Sequence, residues 1–281
     1  MEETSETREY GKLYPAARAV LSPIFKTLWR VRVQGLEHVP DYGGAIFCPN
    51  HTSVIDSFFL PVVLPRRISF VGKAEYMDSW KTKHIFPALG MIPIDRSGGS
   101  AAERALNTAA AVLERGEFFG IYPEGTRARD GRLRRGHTGP ARLALRTQVP
   151  IVPVGIVGTR EIQPPDAKLP KPFKTAEVRF GRPIDVRRYS DRTDDRMVLR
   201  QIIDEVMYEI RQLSGQEYVD EYATKSAETF PTAATTHIAS LGDPGPNGHV
   251  EGDGANGHGE AAEGGDGSEQ QSSADALSKW S

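Results

Sequence analysis

The chain has 281 residues, 38% hydrophobic and 26% charged, a composition ordinary for a soluble globular class and compatible with one domain or two. Of its 35 basic and 37 acidic residues, two basic and nine acidic fall in residues 224–281, so the body carries an excess of five positive charges and the tail seven negative ones. A mildly basic body suits anionic small molecules or an anionic membrane surface and falls short of a dedicated nucleic-acid module; the single cysteine, Cys48, excludes an internal disulfide and a cysteine metal cluster.

The first residues are acidic and polar, unlike a secretory signal, and are expected to be flexible over 1–9. No run approaches the roughly 18 apolar residues of a membrane span. Residues 10–33 carry Leu13, Ala17, Val20, Leu21, Ile24, Phe25, Leu28 and Trp29 at helical spacing beside Lys12, Arg18, Lys26, Arg30 and Arg32. An apolar stripe with a basic flank and an aromatic describes either a helix lying in a bilayer headgroup region or an amphipathic helix packed on its own domain.

Gly44 to Pro49 reads as a short buried strand, and Asn50-His-Thr-Ser-Val-Ile-Asp56 follows it. Residues five apart do not share a helical face, so His51 is expected in a loop, with a helix starting near Thr52 or Ser53 and Asp56 in about its first turn. A His and an Asp this close supply a base and a carboxylate able to orient it, or else a surface histidine and an ordinary first-turn acid.

Arg66 to Gly72 reads as a strand delivering Lys73, Met77 to Leu89 as a helix, and Gly90-Met-Ile-Pro-Ile-Asp-Arg96 as a strand ending in a cation. A helix is expected over Ala101 to Arg115, a buried strand over Phe118 to Tyr122, and a loop over Pro123 to Arg127. Gly136 to Arg146 reads as a helix, Val149 to Val157 as a central strand, Ala176 to Gly181 as a strand, and Asp194 to Leu213 as a long amphipathic helix. This alternation predicts an α/β fold: a single domain over 34–223 with a central mixed sheet flanked by helices. Three strands end in polar groups at His51, Arg96 and Glu124 to Arg127, which predicts a shared crevice at their carboxyl ends. From Thr224 onward the Gly, Ala, Ser and acid-rich composition predicts a disordered tail.

Glu124-Gly-Thr-Arg127 reads as a phosphate loop: arginine matches phosphate bidentately, Gly125 admits close backbone approach, and Thr126 adds a hydroxyl. Arg96 and Lys73 would add positive charge. Together with His51 and Asp56, this suggests a phosphate-bearing alcohol whose hydroxyl attacks an activated acyl group.

Four blocks, Asn50 to Asp56, Gly90 to Arg96, Tyr122 to Arg127 and Val149-Pro-Ile-Val-Pro153, resemble in order the motifs of the glycerolipid acyltransferase family, of which the bacterial 1-acyl-glycerol-3-phosphate acyltransferases are members. The resemblance implies that His51 is the general base and Asp56 its partner. It implies that Arg96, Glu124, Gly125, Thr126 and Arg127 handle the phosphate-bearing acceptor, and that Val149, Pro150, Ile151 and Pro153 help form the acyl-donor site.

The expected reaction moves a fatty acyl group from acyl-coenzyme A or acyl-carrier protein to lysophosphatidic acid, giving phosphatidic acid, with no cofactor and no metal. The expected location is peripheral, on the cytoplasmic face of the cell membrane, held by the N-terminal helix. Other readings are the same chemistry on glycerol-3-phosphate or another lyso-lipid, a hydrolase with Ser53 as nucleophile, and a non-catalytic phospholipid-binding module. Many relatives have a lysine and an aromatic where this chain has Arg134-Arg-Gly-His137, a departure that bears on acceptor contacts.

Overall fold

The computed structural model describes residues 14–73, 90–94 and 101–223. Residues 1–9, the helix expected over 77–89, Arg96 and the tail from 224 lie outside them, as does the side chain of Lys73.

The strands are β1 (Arg30–Gln34), β2 (Ala45–Pro49), β3 (Ile68–Lys73), β4 (Met91–Ile94), β5 (Phe118–Gly120), β6 (Leu133–Arg134), β7 (Ile151–Val157), β8 (Thr175–Phe180) and β9 (Tyr218–Val219). Seven of them form a mixed sheet in the order β1-β8-β7-β2-β5-β3-β4. Every neighbouring pair is parallel except β7 with β8. The helices are α1 (Tyr14–Leu28), α2 (Asp56–Val63), α3 (Ala101–Glu114), α4 (Gly139–Thr147), α5 (Thr159–Ile162) and α6 (Arg196–Ser214).

The side-chain period of two in a strand splits the core into two layers. On one face Ile46 and Cys48 of β2 meet α3, α4 and α6; on the other Ala45 and Phe47 meet α1 and α2. Helix α6 lays Val198, Ile202, Val206 and Ile210 on the first face, each fully or almost fully buried. Its ends follow from its sequence. Asp195 caps it by accepting from the amides of Met197 (2.8 Å) and Val198 (3.4 Å), and Gly215 closes it at φ 72°.

Of the two readings of the N-terminal segment, helix α1 takes the one in which it packs on its own domain. The aromatic residues at its end are spent on the protein's own core: Phe25 stacks on Phe58 and meets Phe59 edge-on, and Trp29, buried just past the helix, donates through Nε1 to the Lys171 carbonyl at 2.8 Å. Tyr14, Arg18 and Ser22 donate to carbonyls of Pro61, Pro65 and Val62 around α2. The helix therefore belongs to the folded body, and because β1 begins at Arg30, a boundary between residues 33 and 34 falls inside a strand. What α1 leaves exposed is a second apolar face bearing Val20 and Ile24. Among the described residues no helix is long and apolar enough to cross a membrane.

Candidate active site

The parallel strands β2, β3, β4, β5 and β7 end at one edge of the sheet, where open α/β sheets hold their ligands. His51 follows the end of β2 and the Glu124 turn follows the end of β5, the strand paired beside it. Lys73 is the last residue of β3 at the same edge.

Between Asn50 and α2 the chain folds around one buried carboxylate. Asp56 Oδ2 accepts from His51 Nδ1 at 3.0 Å and from the backbone amides of Thr52 and Ser53, each at 2.8 Å. The helix starts at Asp56 rather than at Thr52 or Ser53, because the Asp56 side chain reaches back to satisfy amides that a helix would otherwise have used. Asp56 is fully buried, and its Oδ1 has no partner. An ionised carboxylate on Nδ1 fixes the proton there and leaves Nε2 with its lone pair free. No described residue hydrogen-bonds Nε2, and the imidazole keeps 15% of its side-chain surface open. Tyr122 stacks against the ring at 3.8 Å and 19°, and is itself held by Ser57 Oγ at 2.9 Å. Burial, with Asp56 nearby, pushes the Tyr122 hydroxyl well above its ordinary pKa, so it stays neutral.

Two further contacts clamp the His51 backbone. Its amide donates to Glu124 Oε1 at 3.1 Å, and its carbonyl accepts from the Ala128 amide at 2.7 Å. The other Glu124 oxygen accepts from the Arg134 amide at 3.0 Å, so this carboxyl is a buried brace between the histidine loop and the 122–136 loop, and it does not face an acceptor. Burial raises the Glu124 pKa to about 8 and the Asp56 charge adds to the rise, while the two amide donors pull it down. A pH signature follows. Below its ordinary value of 4.5 the carboxyl is neutral folded and unfolded; between 4.5 and about 8 the unfolded chain releases a proton that the folded one keeps. Stability from this group should therefore fall as pH rises through that window, and Glu124→Gln should flatten the slope in a pH series of chemical denaturation. The variant also leaves one backbone amide facing an amide NH₂, which should lower stability by about 1–3 kcal/mol.

Gly125 sits at φ 73°, where a Cβ would also press on the His137 ring at 3.2 Å. His137 backs this turn: its amide donates to the Pro123 carbonyl at 2.9 Å, and its ring stacks on Tyr222 at 4.8 Å. Burial, helped by Arg200, lowers its pKa and keeps it neutral. The arginines of this loop divide into two kinds. Arg129 is paired with Asp166 (3.5 Å), Arg132 and Arg134 with Asp130 (2.8 and 2.6 Å), and Arg135 with Asp220 (3.6 Å). Arg127, half-buried one residue before the amide that binds His51, has no hydrogen bond or ion pair among the described residues.

Not every expected site residue gathers here. Val149, Pro150, Ile151 and Pro153 belong to or precede β7, whose register pairs Ile151 with Ile46 and Val154 with Pro49. At about 3.3 Å per residue, Ile151 lies about 10 Å short of the end of β2, toward the opposite edge of the sheet. Ile151 and Pro153 are buried in the strand, so this block builds the sheet that positions His51 and does not line the crevice beside it. Ser53 is not poised as a nucleophile, since its Oγ donates to the Gln163 carbonyl at 2.8 Å.

The sequence reading missed Asn50, Tyr122, His137 and Gln216. Asn50 bridges to β7 through Ile156, accepting from its amide at 2.7 Å and donating to its carbonyl at 3.0 Å. Gln216 accepts from Asn50 Nδ2 at 2.7 Å and donates to the Gly131 carbonyl at 2.8 Å. Here β9 pairs with β6, so the chain after α6 returns to brace the loop. Asn50 and Tyr122 open two of the four motif blocks and His137 ends the stretch that departs from the relatives, so each carried a signal in the sequence; Gln216 carried none.

Residues 30–157 match a family model described as acyltransferase. A 1-acyl-sn-glycerol-3-phosphate acyltransferase of Limnanthes douglasii is 38% identical over 137 residues, 46% of each chain. The chloroplastic enzyme LPAT1 of the same description from Arabidopsis thaliana is 28% identical over 48% of this chain and 38% of its own. An uncharacterized protein of Mycobacterium tuberculosis is 29% identical over 69% of this chain and 63% of its own. The matched stretch thus spans less than half the length of the plant relatives. In fold, the chain is similar to the crystal structure of the 1-acyl-sn-glycerophosphate (LPA) acyltransferase PlsC from Thermotoga maritima: TM-score 0.55 at 23% identity, over 75% of this chain and 79% of that one.

Proposed function

We propose that residues 30–157, which match the acyltransferase family model, form an acyltransferase domain of the glycerolipid acyltransferase family, and that the protein transfers a fatty acyl group from an acyl thioester to the free hydroxyl of lysophosphatidic acid. The observation that carries this reading is the juxtaposition of a histidine whose Nε2 is free with an arginine that no carboxylate of the described residues neutralises. His51 Nε2 takes the proton from the acceptor hydroxyl as its oxygen attacks the thioester carbonyl. Asp56 stabilises the imidazolium that forms. When the carbon–sulfur bond breaks, the leaving thiolate recovers that proton, so the products are phosphatidic acid and a free thiol. The donor is acyl-coenzyme A or acyl-carrier protein, a co-substrate; the reading needs no resident cofactor and no metal. Arg127 holds the acceptor phosphate and Thr126 adds a hydroxyl donor; Arg96 and Lys73 are the further cations that this reading assigns to the acceptor.

The test is thiol release from palmitoyl-coenzyme A by protein in detergent, with and without lysophosphatidic acid. Release that depends on the acceptor supports the transfer. Release that ignores the acceptor makes the protein a thioesterase, and no release with any thioester donor or lyso-lipid removes the reading. Arg127→Ala should raise KM for the phosphorylated acceptor about tenfold or more, from the loss of a charge-assisted contact, and leave KM for the thioester nearly unchanged. An equal effect on both substrates argues against a phosphate contact.

A product with two fatty chains belongs in a bilayer, so the reading places the protein peripherally on the cytoplasmic face of the cell membrane, with the exposed apolar face of α1 toward it. Deleting the first 33 residues would remove the buried Phe25 and Trp29 and most of β1; Val20→Ser with Ile24→Ser probes that face without unfolding the body.

A further inference from the structure

The segment joining α5 to β8 contains Lys168-Leu-Pro-Lys-Pro-Phe-Lys174, in which three lysines alternate with Leu169 and Phe173. Leu169 is 79% exposed and Phe173 74% exposed, among the most open large apolar side chains described, and the three lysines are exposed beside them. No acid occurs in residues 167–176, nor in the adjoining residues 14–36. Two of the nearby carboxylates are occupied, Asp166 by Arg129 and Glu177 by Arg32 and Arg179, while exposed Glu161 adjoins the Ile162 carbonyl that Lys171 binds.

The loop is fixed rather than trailing. Phe173 N donates to the Leu28 carbonyl at 2.6 Å, Arg30 N to the Lys174 carbonyl at 2.9 Å, Lys171 N to the Ile162 carbonyl at 2.7 Å, and Trp29 Nε1 to the Lys171 carbonyl. Phe173 adopts φ 60°, a left-handed conformation that an aromatic residue rarely takes, and it does so while its ring stays in solvent. A held backbone, left-handed at Phe173, that presents exposed apolar side chains points outward to a ligand surface.

Topology places that surface at the site. Strand β8 runs antiparallel to β7 and begins where β7 ends, and β1 begins level with it, Arg30 opposite Thr175. The loop, the end of α1 and the start of β1 therefore lie at the sheet edge that carries His51. In the sheet order, β8 and β1 are two and three strands from β2, about 10 and 14 Å at about 4.8 Å per strand.

We infer that the 168–174 loop, continuous with the exposed face of α1, is an anionic-bilayer docking surface that sets the His51 crevice against the membrane. Leu169 and Phe173 enter the headgroup boundary while Lys168, Lys171 and Lys174 meet lipid phosphates. The inference rests on the proposed acyl transfer only for its purpose; binding to lipid is measured without turnover.

The test is co-sedimentation of the full chain with vesicles of equal parts phosphatidylcholine and phosphatidylglycerol, and with phosphatidylcholine alone. Leu169→Ser with Phe173→Ser should weaken binding to the anionic vesicles about tenfold. Lys168→Gln, Lys171→Gln and Lys174→Gln together should weaken it by about fivefold per lysine and abolish the preference over neutral vesicles. Transfer from detergent-dispersed substrates should be unchanged in both variants, so loss of the acyl-transfer reading and loss of this one are separate results. Unchanged vesicle binding overturns the inference. If the lysine variant keeps its vesicle binding and instead raises KM for an acyl-carrier-protein donor alone, the surface belongs to an acidic carrier protein.

Discussion

His51→Ala should lower acyl transfer by on the order of 10³-fold or more while thermal unfolding stays close to that of the parent, because the imidazole works through an Nε2 that no described residue hydrogen-bonds. What it would lose structurally is one hydrogen bond to Asp56 and the stacking on Tyr122, since its backbone contacts to Glu124 and Ala128 survive the substitution. The measurement is kcat/KM for lysophosphatidic acid with palmitoyl-coenzyme A, alongside a melting curve. Transfer within tenfold of the parent would remove His51 as the base. Loss of activity together with loss of folding would place the histidine in the architecture, and His51→Gln would then separate the two effects.

Asp56→Asn is the sharper of the two experiments. Oδ2 carries three donors and Oδ1 none, so an asparagine can keep its oxygen toward His51, Thr52 and Ser53 and turn its amide nitrogen to the side without a partner. The loop then keeps its shape, while the negative charge that stabilises an imidazolium is gone. Turnover should fall on the order of 10²–10⁴-fold, with stability changed by only about 1 kcal/mol. Asp56→Ala contrasts with it, because it strands the buried Thr52 and Ser53 amides and should cost about 1–3 kcal/mol for each one left unsatisfied. An Asp56→Asn protein with nearly full turnover would make the carboxylate a loop cap alone.

These effects share a cause in how the loop is built. One fully buried carboxylate both folds the turn after β2 and orients the ring, and a second, Glu124, fastens that turn to the neighbouring loop. Neither depends on an acceptor, so the His51 ring is oriented without any substrate, which in the proposed transfer would spare reorganisation during the reaction.

The sequence by itself determined the α/β alternation, the helix and strand of the longer described elements but not of the short β6, α5 and β9, and the pairing of His51 with Asp56. Those features are local: side-chain periods of two and of 3.6, caps such as Asp195, and two residues five apart across a single turn. It also determined that polar groups would follow strand ends, because a strand's last residue and the loop after it are neighbours in the chain. Only the tertiary structure decided which of those ends lie side by side. The strand order puts β5 next to β2 and so Glu124 beneath His51, and the parallel register of β7 carries Val149 to Pro153 toward the far edge. It likewise decided that Trp29 is core rather than interface, and that Gln216, 166 residues from Asn50, braces it. Contacts across such separations arise from how layers pack and strands order, and no window of the sequence contains both partners.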